Sequence, residues 1–77
     1  MKDLLDFILK NLLGKSKFSI SETQEDNRLN LVVKAPQDKV GLIIGKGGKT
    51  IKAIRNLLRV RATLDKVYFN LEVESSS

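Results

Sequence analysis

One short run of this chain has the composition of a loop that holds phosphate. The run from Gly45 to Thr50 contains three glycines and two lysines. Glycine has no Cβ, so a backbone rich in it can approach another molecule closely and adopt conformations that other residues avoid. The N–H groups that open a following helix carry partial positive charge and favour phosphate, to which Lys46 and Lys49 add full charges. The run therefore indicates a loop that holds a polyanion.

Two nucleotide-binding motifs resemble this run, and neither fits. A P-loop ends as Gly48 to Thr50 do, but it needs a glycine five residues before Gly48, where this chain has Ile43. It also follows a strand in an α/β domain, whereas a helix is predicted here and 77 residues are too few for such a domain. The dinucleotide-binding pattern, counted from Gly45 and Gly47, has Thr50 in place of its third glycine. The remaining alternative is a glycine-rich corner between two helices that binds nothing.

The composition excludes most enzyme chemistry. The chain has no Cys and no His, so it offers no thiol nucleophile, no imidazole base and no ligands for a zinc or iron site of the usual kind. No two carboxylates are placed to suggest general acid–base catalysis. We therefore predict that the protein is not an enzyme and uses no cofactor or metal.

The hydropathy pattern predicts a cytoplasmic protein without membrane contact. No apolar run approaches the roughly 20 residues that span a bilayer. The apolar N-terminus is interrupted by Asp3, Asp6 and Lys10, unlike a secretory signal.

Positive charge is concentrated in the middle of the chain. The net charge is +5, and residues 31–62 alone carry +7, whereas residues 1–30 are neutral and residues 63–77 carry −2. Such segregation is typical of a surface that binds a polyanion. A solvated, lysine-rich helix face would give the same balance, so charge alone does not decide between the two.

Hydrophobic periodicity predicts six elements in the order α-β-β-α-α-β. In chain order they cover residues 1–13, 18–22, 29–35, 37–44, 49–61 and 67–73. A polar stretch, residues 23–27, is predicted as the loop of a hairpin, which makes the first two strands antiparallel. The two-helix connection is long enough for a right-handed crossover that makes the second and third strands parallel. We expect an α+β fold, a three-stranded mixed sheet with helices on one face.

One domain is expected over residues 1–74, followed by a frayed tail over residues 75–77, which has nothing to bury.

In the last helix, cations recur every three or four residues, and one face is predicted to be apolar. The cations are Lys49, Lys52, Arg55 and Arg59, and the apolar face comprises Ile51, Ile54, Leu57 and Leu58. Tyr68 points away from the apolar face of its strand, so a contact with a partner and incidental exposure both remain open.

The stretch from Val40 to Ile54 resembles the signature of KH (K-homology) RNA-binding domains; it reads VGLIIGKGGKTIKAI. The element order resembles their type II, or prokaryotic, arrangement, and the resemblance spans nearly the whole chain. In its length and lack of other domains, the chain is similar to the small single-KH bacterial proteins of the KhpA type. Similar KH units also occur inside larger proteins.

The resemblance implies a GxxG loop that clamps the backbone of about four nucleotides of single-stranded RNA. It also implies that Gly41 and Ile44 line a groove for bases, with the third strand on its far side, and that binding does not rely on aromatic stacking. Gly47 stands where many relatives carry a side chain, which makes this loop more flexible. The predicted nucleic-acid-binding residues are Gly41, Ile44, Gly45, Lys46, Gly47, Gly48, Lys49, Lys52 and Arg55.

The resemblance implies a small RNA chaperone or post-transcriptional regulator, and two other functions remain open. The first is a protein-interaction module that forms a homodimer, or a heterodimer with a larger KH-containing protein. The N-terminal helix or the helices beside the loop would supply its surface, and exposure of Leu4, Phe7 or Leu13 would favour it. The second is binding of single-stranded DNA, because the sequence does not reveal contacts to the 2′-OH.

Overall fold

The computed structural model describes residues 1–76. The chain folds into a three-stranded sheet that is covered by helices. Its elements are, in chain order, α1 (Lys2–Leu13), β1 (Ser19–Glu25), β2 (Arg28–Ala35), α2 (Gln37–Ile44), a 3₁₀ turn (Lys46–Gly48), α3 (Lys49–Asp65) and β3 (Tyr68–Ser75). The strands lie in the order β1-β2-β3, with β1 antiparallel and β3 parallel to β2. The predicted α-β-β-α-α-β order and mixed sheet are confirmed.

The central strand β2 has one buried and one solvent-facing side. Leu29, Leu31, Val33 and Ala35 are buried and alternate with less buried residues. Side chains of a strand point alternately to opposite faces, so this row forms a single apolar surface. In the register, Leu31 lies opposite Leu71 of β3, which is also buried.

All three helices pack on the apolar face of the sheet. α1 contributes Leu5 and Leu9, α2 contributes Ile43, and α3 contributes Ile54 and Leu58, all in one cluster with three buried residues of β2, namely Leu31, Val33 and Ala35. Each helix buries one stripe, as expected for helices that cover a sheet. Within residues 1–76, no helix combines the length and apolarity needed to cross a membrane.

The predicted hairpin loop over residues 23–27 is wrong. Thr23, Gln24 and Glu25 belong to β1 and pair with residues 28–30 of β2, so the turn contains only Asp26 and Asn27. β1 is an edge strand whose residues are nearly all exposed, and polar residues suit such a strand as well as they suit a loop. Asp26 has a φ of 53°, a conformation that Asp tolerates better than most residues.

α3 continues four residues beyond its predicted end at residue 61, and its buried face is narrower than predicted. In its last turn, Arg61 Nε donates to Asp65 Oδ2 at 3.0 Å. The hydrophobic pattern predicts Leu57 on the buried face, but Leu57 is 54% exposed. It lies about 100° around the helix from Leu58, and the core uses only the Leu58 side.

The sheet extends past residue 74, the predicted end of the domain. Ser75 lies opposite Ala35 in the register, and the Ser76 N–H donates to the Ala35 carbonyl at 2.9 Å. Ser75 is therefore the last residue of β3, and Ser76 adds one backbone hydrogen bond to β2. Ser77, the last residue of the predicted tail, lies outside the described residues.

The Lys66→Gly variant should be more stable than the parent chain. Lys66 follows α3 in a left-handed conformation, with φ 57° and ψ 43°. This costs a residue with a Cβ about 1–2 kcal/mol, whereas glycine costs about 0.5–1 kcal/mol in unfolded-chain entropy. We expect a gain of about 0.5–1 kcal/mol in the free energy of unfolding, measured by urea denaturation. A Lys66→Ala control keeps its Cβ and should show no such gain; equal stabilities of the two variants would contradict the explanation.

Candidate nucleic-acid interface

The glycine loop joins α2 to α3 through backbone conformations that favour glycine. Gly45, Gly47 and Gly48 have φ values of 78°, 65° and 77°. The Gly48 N–H donates to the Gly45 carbonyl at 3.0 Å and closes the turn. The chain thus passes from one helix to the next within four residues.

The glycines serve two different purposes in this loop. A Cβ on Gly45 would lie 2.8 Å from the Thr50 backbone nitrogen and would overlap the Thr50 side chain. Gly45 is therefore needed for the loop to fold back against α3. Around Gly47 and Gly48, a Cβ would meet nothing within 4 Å, so these two glycines leave open space into which another molecule can come close to the backbone.

The N-terminus of α3 faces this open space without a capping side chain. No side chain of the described residues caps it, and its first turn contains no acidic residue. The first N–H groups of a helix have no partner within the helix and carry the positive end of its dipole. In a helix of 17 residues, they provide donors for an anion.

Four exposed cations follow the loop and the first two turns of α3. They are Lys46, Lys49, Lys52 and Arg55. Among residues 1–76, the ion pairs involve Asp3, Lys10 and Arg61 with their partners and none of these four. Their charge is therefore not neutralised within the described part of the chain.

A groove of about 930 Å³ runs between α3 and β3. Its lining residues are Asn27, Arg55, Arg59, Ala62, Thr63, Lys66, Val67, Tyr68, Phe69, Asn70, Leu71 and Glu72. Cations line the α3 side, whereas the β3 side offers apolar, phenol and amide groups and the carboxylate of Glu72. An extended ligand in which charged groups alternate with flat apolar groups would fit between these two sides of the groove.

β3 presents backbone groups to this groove because it is an edge strand. The N–H groups of Tyr68 and Ser76 donate toward β2, to the carbonyls of Asn27 and Ala35. Since N–H and C=O groups alternate in direction along a strand, those of Phe69 and Leu71 point to the open edge. They can donate to and accept from a ligand in the groove.

The predicted site residues do not all line the groove. Residues 45–49 form the loop, and Lys52 follows on α3, but among the predicted residues Arg55 alone lies among those that line the groove. Gly41 and Ile44 lie on α2, where Gly41 is exposed and Ile44 is 39% exposed. They flank the loop and are not among the lining residues.

The far end of the groove contains residues that the sequence did not assign to the site. Arg59 belongs to the predicted basic stripe but not to the predicted site, and Lys66, Tyr68 and Asn70 come from the α3–β3 turn and β3. They meet Asn27 from the hairpin turn only because β3 pairs with β2. The one signal of this part of the site in the local sequence is that Tyr68 points away from the apolar face of its strand.

A second exposed feature of α3 is an apolar stripe, formed by Leu57, Val60 and Leu64. Their side chains are 54%, 62% and 75% exposed. By helical periodicity the stripe lies on a different side of α3 from Lys52 and Arg55. We refer to these three residues as the α3 stripe.

The surface predicted on α1 is only partly exposed. Phe7 is 67% exposed, whereas Leu4 is half-buried and Leu13 is buried. A single exposed aromatic side chain makes a smaller apolar surface than the α3 stripe does.

A glycine loop between two helices that pack on a three-stranded mixed sheet, in the order α-β-β-α-α-β, defines a type II KH domain. The family described as "KhpA/KhpB, KH domain" matches residues 2–73. The chain belongs to this family.

Curated relatives share nearly the full length of the chain. The RNA-binding protein KhpA of Chlamydia trachomatis serovar D is 40% identical over 74 residues, which cover 95% of each chain. The RNA-binding protein KhpA of Clostridium acetobutylicum is 30% identical over 74 residues, covering 95% of this chain and 99% of the relative. An uncharacterized KH and PIN-domain containing protein of Methanocaldococcus jannaschii is 33% identical over 63 residues, but only 10% of its length is covered. A similar unit therefore also occurs within a longer protein.

Replacing Gly45 should destabilise the chain more than replacing Gly48. Gly45 combines a φ of 78° with a ψ of 166°, a region that is essentially closed to other residues and costs about 1–3 kcal/mol. Its added Cβ would also overlap Thr50. Gly48 is left-handed with open space around it, so Gly48→Ala should cost about 1–2 kcal/mol. We expect Gly45→Ala to lose at least about 1 kcal/mol more in urea unfolding; equal losses would contradict the contact with Thr50.

Proposed function

We propose that this chain is a non-catalytic RNA-binding module that holds short single-stranded RNA by its glycine loop and the adjacent groove. The observation that carries the proposal is the open space around Gly47 and Gly48, beside an uncapped helix N-terminus and four unneutralised cations. The family and the names of the RNA-binding relatives support it.

In the proposed complex, the phosphates lie against the loop. The backbone N–H groups at the start of α3 donate to phosphate oxygens, and Lys46 and Lys49 add charge-assisted hydrogen bonds. Lys52 and Arg55 continue the positive surface along α3. Because these contacts address the backbone of the nucleic acid, they carry no sequence information.

The bases enter the groove between α3 and β3. They pack against the half-buried ring of Phe69, and the open-edge N–H and C=O groups of β3 bond their edges. A base in a duplex has these edges paired, so the groove favours a single strand. With few base-reading groups, sequence preference is low, which suits a cytoplasmic RNA chaperone or post-transcriptional regulator.

The Lys46→Asp/Gly47→Asp double variant should abolish RNA binding and leave the fold intact. Gly47 has a φ of 65° and no neighbour within 4 Å of an added Cβ, and Asp tolerates this conformation. Loss of the charge-assisted Lys46 contact, together with repulsion of phosphate by two new carboxylates, should weaken binding by at least about 100-fold. Fluorescence anisotropy with labelled single-stranded RNA pools measures the affinity, and circular dichroism monitors the fold.

A Lys15→Asp/Ser19→Asp variant is the matched control, because both positions are exposed and lie outside the loop and groove. Each double variant removes three units of charge, two by the Lys change and one by the added Asp. The control should bind nearly as well as the parent chain.

With four cations on phosphates, the log–log slope of RNA affinity against salt concentration should be about −3 for a single strand. Unchanged binding by the loop variant would refute the loop assignment, and a flat salt dependence would refute the phosphate contacts; equal affinity for single-stranded DNA would leave the preference for RNA unsupported.

A second function, self-association through the α3 stripe, is favoured by the exposure of Leu57, Val60 and Leu64. The stripe is spaced by three and four residues, as in helices that pair with another helix. A second copy brings an identical stripe and so forms a self-complementary two-fold contact. A larger KH-containing protein is the alternative partner.

The charges beside the stripe are compatible with a second copy. Asn56 and Thr63 are neutral, and Arg61 pairs with Asp65 at 3.0 Å. Arg55 and Arg59 line the groove, and Lys52 lies on the same side of α3 by helical periodicity, so two copies could pair without bringing these charges together. Pairing would also leave both loops free and would raise affinity for RNA through two linked sites.

The Val60→Asp variant should be monomeric under conditions in which the parent chain dimerises. The change introduces a charge at the centre of the α3 stripe in both copies, where each Val contributes about 1.5 kcal/mol or more when buried. The dimer dissociation constant should therefore rise by about 100-fold or more. Analytical ultracentrifugation measures it, and Phe7→Asp on α1 is the control. A monomeric parent chain at millimolar concentration would contradict self-association, and dissociation by Phe7→Asp alone would move the interface to α1.

A further inference from the structure

The end of the groove remote from the glycine loop collects cations together with an aromatic side chain. Arg59, Lys66 and Tyr68 all line it. Within residues 1–76, neither Arg59 nor Lys66 is among the residues that form an ion pair. This end of the groove can therefore accept an anion without breaking an existing contact.

Lys66 has a backbone conformation that glycine adopts more easily than lysine. Its φ of 57° and ψ of 43° are left-handed, and helices commonly end with glycine in this conformation. A lysine here brings a cation to the groove at the expense of backbone strain. Strain of this kind is associated with functional sites.

Tyr68 has a ring that is free to stack. The residue is 67% exposed, and its backbone is held by the hydrogen bond from its N–H to the Asn27 carbonyl at 2.8 Å. Asn27 and Asn70 lie beside it in the groove lining. The Asn70 amide donates to Asn30 Oδ1 at 3.2 Å, which leaves the Asn70 carbonyl oxygen as an acceptor for a base.

We propose that this end of the groove is a further nucleotide subsite for the same RNA strand, with a base stacked on Tyr68 and its phosphate on Lys66 and Arg59. The proposal rests on the proposed RNA binding by the glycine loop. Lys49 and Lys66 are separated by about 25 Å along α3, so a strand bound at both ends has to follow the whole groove. The footprint on RNA then exceeds the segment that the loop clamps.

The one carboxylate among the lining residues does not oppose this arrangement. Glu72 lies four residues from Tyr68 on β3, which is about 13 Å along the strand. It faces the middle of the groove, where bases and not phosphates are expected. The residues that line the far end, Asn27, Arg59, Lys66 and Tyr68, are positive or neutral.

The test compares tetrauridylate with octauridylate, because only the longer strand can reach both ends. In the intact chain, Tyr68→Ala should weaken octauridylate binding by about tenfold, and its effect on tetrauridylate should be less than twofold. Tyr68→Phe keeps the ring and should retain the affinity. Lys66→Gly should reduce the salt slope for octauridylate by about 0.7. This variant is expected to be more stable than the parent chain, so a loss of binding would not arise from unfolding.

The results separate this subsite from the proposed function. If octauridylate binds and the Lys46→Asp/Gly47→Asp variant abolishes that binding, the loop assignment stands. In that case, equal effects of Tyr68→Ala on both lengths, or no effect on either, would overturn the subsite alone. An intact chain that binds neither length would overturn both proposals. A length-dependent loss that Tyr68→Phe restores is the expected result.

Discussion

β2 and β3 run parallel, so the chain has to return along the sheet between them before β3 can pair. α2, the glycine loop and α3 make this return and cover the apolar face of β2 as they do so. The crossover places the loop at one end of α3 and the α3–β3 turn at the other. It also leaves β3 as an edge strand beside α3, which creates the groove. The constraint of parallel pairing thus determines where the loop, the cations and the open edge of β3 lie relative to one another.

α3 presents three distinct sides, one in the core and two at the surface. Ile54 and Leu58 anchor it in the core, Arg55 and Arg59 line the groove, and the α3 stripe faces solvent. Because these sides are distinct, the proposed contacts with RNA and with a second copy do not compete for the same residues. A small domain buries a limited share of its surface, so the use of one helix for all three is economical in chain length. The same arrangement makes the stability of α3 central to every proposed contact.

Much of this fold follows from local sequence patterns. The alternation from Leu29 to Ala35 predicts β2, and the glycine run predicts the junction of α2 and α3. Three features do not follow from the local sequence patterns, each for a physical reason. The polar end of β1 resembles a loop because an edge strand needs few apolar residues. Leu57 has the residue type of the core but lies outside its angular range. Tyr68 and its neighbours in the groove meet only through long-range pairing, which no local pattern encodes.

β3 pairs with a strand that lies forty residues earlier, as Leu31 and Leu71 show. Closing so long a loop costs chain entropy, and an edge strand held on one side is a natural place for local opening. The groove exists only while β3 is docked, whereas the glycine loop depends on α2 and α3. A ligand that contacts both α3 and β3 binds only the docked state and therefore increases the protection of β3 amides against hydrogen exchange. Occupancy of the groove and local order of β3 are thus thermodynamically linked.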